Sequence, residues 1–208
     1  MNTNRFKPWE IALCIGLVVS LLVSTAAACA NTDISEKLIR LHVVAASDSE
    51  EDQTLKLAVR DETLAALSIP LNGVTDVKDA ERVITENIPA LEARLRGFLE
   101  EQGSTQSVTV SLGREAFPTR EYSTFALPAG PYTSLRVTLD GGGGQNWWCV
   151  VFPPLCAATA MERLPDETRA AGLTENDIAL ITQADETYVV RFKLAEWLGS
   201  IKNWFTRK

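Results

Sequence analysis

The densest run of chemically capable residues lies between Gly141 and Cys156, GGGGQNWWCVVFPPLC, which holds four glycines, adjacent tryptophans, two prolines and a cysteine pair. Consecutive glycines reach positive φ without steric penalty, which suits a sharp turn or the close approach of another backbone. If NWWCVVF is a strand, Trp147 and Trp148 project from opposite faces, one ring toward a core and the other toward a partner. Pro153 and Pro154 end that strand, because proline has no ladder donor. Cys149 and Cys156 therefore flank a bend. A disulfide across it is feasible, and two reduced cysteines acting as small hydrophobes are the alternative.

Other reactive groups are sparse. The chain has one histidine, His42, so any serine-histidine-aspartate triad would have to use it. It falls inside LIRLHVVAA, where a partly buried strand histidine is the plainer reading. The nucleophile elbow of serine hydrolases and the Gly-x-x-x-x-Gly-Lys loop are both missing. Gly141 to Gly144 lack the lysine, serine and following helix of a phosphate cradle. A Cys149 and His42 dyad is conceivable, but only if Cys149 is unbonded. Glu115, Glu121 and Asp140 could supply paired carboxylates for glycoside cleavage, a chemistry that geometry decides. Asp48, Glu50, Glu51 and Asp52 lack the alternating ligands and glycine of a calcium loop, and helix capping explains them at lower cost. No catalytic set, metal or cofactor is expected.

The elements that would position these residues begin with a targeting segment. Arg5 and Lys7 precede an apolar run from Ile11 to Ala28 that ends in small residues, as in a secretory signal peptide cleaved near Ala30. An uncleaved membrane anchor is the alternative, since eighteen residues is near the lower limit for spanning, and lipidation of Cys29 is a third. Each places the rest of the chain outside the cytosol. Cleavage would also leave Cys149 and Cys156 as an even pair in a compartment that permits disulfides. A net charge of −7 and a pI near 4.9 argue against nucleic acid as a partner. At 208 residues the chain can build an ordinary hydrophobic core.

Beyond the leader, LIRLHVVAA reads as a strand buried on both faces. Ser49 and Asp52 fit a capping box before an amphipathic helix with Leu57, Ala58, Leu64, Ala65 and Leu67 on one stripe, Lys56 and Glu62 outside it, and an end near Ser68. Val77, Ala80, Ile84, Ile88, Leu91, Leu95 and Phe98 recur at helical spacing. Pro89 should kink that helix or split it near Asn87, with Gly103 closing it. From Ser107 the period changes to two in SVTVSLG and again in Leu135 to Leu139, with turn chemistry between, so antiparallel strands are expected. Arg114, Arg120 and Arg136, near Glu115, Glu121 and Asp140, read as surface charges on strand edges. Residues 161–185 read as a helical connector and 186–208 as a strand followed by a basic amphipathic helix. Trp197, Trp204 and Phe205 on that helix would contact a membrane surface or a partner, or dock on their own domain.

Three stretches carry a resemblance to a known family. IRLHVVAASDSEEDQTLKLAVRD (Ile39 to Asp61), FALPAGPYTSLRVTL (Phe125 to Leu139) and above all GQNWWCVVFPPLC (Gly144 to Cys156) resemble the stage II sporulation protein R family of endospore-forming bacteria. Where that family has asparagine after the first strand, this chain has Ala46, while the Ser49 cap remains available. The resemblance implies a signalling protein exported from the forespore into the space between the forespore and mother-cell membranes. There it would trigger a membrane-embedded aspartic protease of the mother cell, which cleaves the precursor of sigma factor E. Neither a small-molecule substrate nor nucleic acid is implied.

The expected architecture is α+β: an antiparallel or mixed sheet packed against two to three amphipathic helices, with a C-terminal amphipathic helix. Residues 1–30 form the leader and 31–160 the signalling domain. Gln145, Asn146, Trp147, Trp148 and Phe152 would form the partner-binding surface, braced by Cys149 and Cys156. The competing expectation is a secreted peptidoglycan hydrolase acting between the two membranes.

Overall fold

The computed structural model describes residues 7–122, 125–156, 168–169 and 172–182, without the side chains of 23–33 and 180. In chain order the elements are α1 (Pro8–Ser35), β1 (Ile39–Val44), α2 (Glu50–Ser68), α3 (Val77–Glu101), β2 (Val108–Phe117), β3 (Arg120–Glu121), β4 (Ala126–Leu127), β5 (Gly130–Leu139), β6 (Asn146–Phe152) and α4 (Glu175–Thr182). The fold is α+β, with a mixed sheet ordered β2-β5-β1-β6 and a small β3-β4 hairpin beside it. The central strand β1 runs parallel to β5 and antiparallel to β6, while β2 is antiparallel to β5.

All six residues of β1 are buried, as its near-continuous apolar run suggests. The pleat nonetheless sorts them into two chemistries. Ile39, Leu41 and Val43 line up with Thr133, Leu135 and Val137 of β5, whereas Arg40 and His42 line up with Ser134 and Arg136 on the other face. The first set meets the helices. Val59 and Leu67 of α2 and Ala80, Ile84, Leu91, Leu95 and Leu99 of α3 join Leu41, Val43, Leu135 and Val137 in one core cluster.

The start of α2 follows from its cap: Ser49 is extended and its side chain accepts from the Asp52 amide, with Glu50, Glu51 and Asp52 in the first turn. The buried stripe of this helix is Lys56, Val59, Thr63 and Leu67; of the expected stripe Leu67 is buried, Leu57, Ala58 and Leu64 are half-buried, and Ala65 is exposed. Lys56 turns inward because its ammonium bonds the Gln145 carbonyl at 3.2 Å and Gln53, and burial pulls its pKa below the ordinary value. The helix ends at Ser68.

Helix α3 runs unbroken from Val77 to Glu101 across Pro89 and packs on the sheet through the expected apolar period. Gly103, at φ 72°, closes it, and the Ser104 amide returns to the Leu99 carbonyl. Strands β2 and β5 are longer than their alternating stretches suggested: ten residues each, paired from Val108–Leu139 to Phe117–Gly130. Long-range pairing overrides the local turn residues there.

The region expected as a connector contributes Leu173, Ile178 and Ile181 to the same core, and Asp177 of α4 pairs with Lys37 at 2.8 Å. Helix α1 crosses the expected leader boundary at Ala30 and buries Ile34 and Ser35. Its side chains from Ile11 to Leu22 are exposed. No helix whose side chains are described is long and apolar enough to cross a membrane; in α1 these side chains stop at Leu22 and resume at Ile34.

Candidate functional site

The four glycines do what a missing Cβ permits. Gly143 and Gly144 donate backbone hydrogen bonds to the carbonyls of Ala46 and Ala45, and a Cβ on Gly144 would lie 2.2 Å from the Ser47 carbonyl oxygen. Gly141 and Gly142 take positive φ in the turn after β5. The loop is thereby pressed onto the segment joining β1 to α2. Asp48 accepts from the Gln145 amide at 2.8 Å, and Lys56 of α2 donates to the Gln145 carbonyl. Strand β6 therefore starts from a fixed point.

From there the tryptophans diverge. Trp147 pairs with Val43 on the helix side, 37% exposed, with the Arg60 guanidinium 4.5 Å from its ring centroid. Trp148 pairs with His42 on the opposite face and is half-buried. Its ring stacks on the imidazole at 5.7 Å and 23°, and Arg120 covers it at 3.8 Å. Neither ring is a pure core residue, and each carries an arginine.

His42 is the hub of this second face. Its Nδ1 lies 3.0 Å from Glu115 Oε2, and its Nε2 lies 2.7 Å from Asn146 Oδ1. Each ring nitrogen therefore has an oxygen partner on a different strand. Glu115 also receives Arg136 Nη1 at 2.9 Å. Burial works against ionisation of Glu115, but hydrogen bonds from His42 and Arg136 outweigh it and hold its carboxyl below the usual 4.5. Of the expected edge charges, Arg114 and Glu115 do stand on edge strand β2, and Arg120 and Glu121 on β3 of the two-stranded hairpin. Arg136 stands on interior strand β5 and Glu115 binds across the sheet, because alternation places both on the His42 face.

Arg40 lies on the same face, fully buried. Phe117 and Tyr132 rings sit 4.4 and 5.0 Å from its guanidinium, the Cys149 carbonyl and the Tyr122 hydroxyl accept from it, and burial lowers its pKa. The β3-β4 hairpin, through Tyr122, closes this half of the face. Among the described residues, Trp148 and Arg136 of the other half remain partly exposed, while His42 is buried.

At the far end of β6, Cys149 and Cys156 form a disulfide with Cα atoms 5.7 Å apart, spanning the bend at Pro153 and Pro154. Phe152 is 2% exposed, so it braces the strand from inside instead of offering a contact. Gln145 and Asn146 are exposed. Trp197, Trp204 and Phe205 lie outside the described residues.

This geometry removes the Cys149–His42 dyad and the Glu115–Asp140 carboxylate pair. Cys149 is bonded and pairs with Leu41, so it faces away from His42. Asp140 caps the start of β2 by accepting from the Ser107 amide, eight residues from Glu115. At about 3.3 Å per residue they stand roughly 26 Å apart, far beyond the ~5–9.5 Å of a glycosidase pair. Both ring nitrogens of His42 are occupied. What the site offers is a rigid display of aromatic rings and guanidinium groups.

Sequence reasoning missed the partners of His42, which lie 73 and 104 residues away. A signal was present in IRLHVV, whose polar residues fall at alternate positions of one strand.

A family model described as stage II sporulation protein R matches residues 35–162. The chain is 31% identical over 185 residues to a protein named stage II sporulation protein R from Bacillus subtilis (strain 168), covering 81% of this chain and 83% of that one. No solved structure matches the chain.

Proposed function

Since the chain belongs to the stage II sporulation protein R family, we propose that it is an exported sporulation signal that activates a membrane-embedded aspartic protease, which in turn processes the precursor of sigma factor E. Membership gives the coarser part, a signalling role in sporulation. The protease and its substrate are the finer reading. One observation carries it: Trp147 and Trp148 stand at the exposed start of edge strand β6, held by the glycine loop at one end and the Cys149–Cys156 disulfide at the other. Large aromatic rings held rigidly at a surface are the usual anchors of protein recognition.

The protein acts in the space between the forespore and mother-cell membranes, consistent with its apolar leader and its disulfide. Activation is a population shift: the surface binds the active state of the protease more tightly than the inactive one, since equal affinity would change nothing. The basic amphipathic segment with Trp197, Trp204 and Phe205 adds contact to the membrane or the protease.

The test is coexpression of the chain, the protease and the sigma precursor in a non-sporulating host, scored for precursor cleavage. Trp147→Ala and Trp148→Ala should each cut cleavage at least tenfold while the exported amount stays constant. Two exported variants that both support normal cleavage would overturn the assignment.

A further inference from the structure

The two sides of the sheet differ in charge. Helices α2 and α3, which cover one side, carry eleven acidic residues against six basic ones. The other side receives Arg40, Arg120, Arg136 and His42, with Glu115 as the carboxylate the register brings there. Among the described residues this is a local inversion in a chain of net charge −7.

One row crosses all four strands on the open half of this face: Ser111, Arg136, His42 and Trp148 are successive register partners. Arg120 sits over Trp148 at one end of the row, its guanidinium carbon 3.8 Å from the ring centroid. A guanidinium held over a ring can still pair an anion through its terminal N–H groups. Arg120 forms no ion pair among the described residues, and its Nε is buried without a hydrogen-bond partner. Two strands away, Arg136 is 41% exposed and spends Nη1 on Glu115 and Nε on Thr138. Around them Thr109, Ser111, Gly113 and Asn146 are exposed, and none of these four is aliphatic.

We propose that this open half-face docks an extended acidic segment of the protein partner, with one carboxylate on Arg120 and a second on Arg136. The inference rests on the reading that the chain engages a protein, and it names the chemistry of the segment engaged. Neighbouring strands lie ~4.8 Å apart, so the backbones of Trp148, which carries Arg120, and Arg136, two strands away, are about 10 Å apart. Acidic residues at alternate positions of an extended chain, about 7 Å apart, reach both through their side chains. Charge-assisted pairing of guanidinium with carboxylate supplies the specificity. A membrane surface is the poorer fit, because interfacial insertion needs an apolar face and Trp148 is covered by Arg120.

The test uses the full chain in mild detergent and two fluorescein-labelled synthetic peptides, one alternating Glu and Val, the other Lys and Val. Fluorescence anisotropy should report binding of the Glu peptide, weakening with salt, and none of the Lys peptide. Arg120→Glu and Arg136→Glu should each weaken it at least tenfold, while Arg94→Glu on α3 leaves it unchanged. Arg120→Gln and Arg136→Gln, with thermal midpoints matched to the parent chain, repeat the test without charge reversal. No binding, equal binding of both peptides, or undiminished binding by the folded Arg120 and Arg136 variants overturns the proposal. Preference for phosphatidylglycerol vesicles over the Glu peptide does so as well, by making the face a membrane surface. Peptide binding is scored without protease, so binding without activation counts against the signalling reading alone. Normal precursor cleavage by an Arg120→Glu, Arg136→Glu double variant counts against the docking face and leaves the signalling reading standing.

Discussion

On the helix side of the sheet, Leu41, Val43, Leu135 and Val137 meet α2 and α3 and are fully excluded from water. On the other side, their neighbours in sequence, Arg40, His42 and Arg136, are held by bonds to Tyr122, Glu115 and Asn146. One side is stabilised by apolar burial, which tolerates exchange of similar volumes, and the other by directional bonds, which tolerate little. Burial alone does not separate them, since all six β1 residues are buried. What separates them is how each responds to a missing partner.

The largest expected effect is on the apolar side. Leu135→Ala should cost ~2–5 kcal/mol in urea unfolding, because the cavity lies under the helices and collapses only partly. The same change should leave cleavage per folded molecule unaltered, which keeps the two faces distinct. A loss of cleavage beyond the loss of folded protein would merge them.

Next comes the disulfide at the end of β6. Replacing Cys149 and Cys156 together by alanine should cost about 2–3 kcal/mol, the loop-closure entropy of a short ring. The check is a denaturation series on the oxidised parent, the reduced parent and the double variant, the last two falling together. Gly144→Ala should cost ~1–3 kcal/mol through overpacking, since its Cβ would meet the Ser47 carbonyl backbone. Loss of the Ala45–Gly144 hydrogen bond should appear as faster amide exchange at Gly144.

How far this organisation was legible in the sequence depends on distance along the chain. The apolar run of β1, the Ser49 cap, the α3 period and the strand ended by Pro153 are written within a few residues, and each forms as read. The second face is assembled by register. Glu115 and Asn146 reach His42 only because β2 pairs with β5 and β6 with β1, and nothing local to any of these residues encodes that. Lys56 is a related case: helical period placed it outside the stripe, and one carbonyl of the glycine loop draws it in. The lengths of β2 and β5 were hidden by Gly113, which the ladder takes in mid-strand opposite Ser134, and by Gly130 and Pro131 at the start of β5.

The smallest effect is the most diagnostic of the polar face. The folded carboxyl of Glu115 lies below its ordinary value, so the stability it contributes is fully present above the unfolded value near 4.5 and is lost as pH falls through the lower folded one. Glu115→Gln should therefore lower stability at pH 7 and flatten the acid limb of the stability curve below about pH 4.5. Thermal midpoints from pH 3 to 7 check this. An unchanged acid limb would make the Glu115–His42 contact incidental.

The junction made by Gly143, Gly144, Asp48 and Lys56 has a practical consequence for anyone labelling the protein. Residues inserted between Gly141 and Gly144 would separate the end of β1 from the start of β6, which are stitched backbone to backbone. The turn at Gly73, where an added Cβ meets nothing within 4 Å, lies between α2 and α3 and has room to spare. An epitope or fluorophore belongs there, where the chain can be lengthened without disturbing the tryptophans.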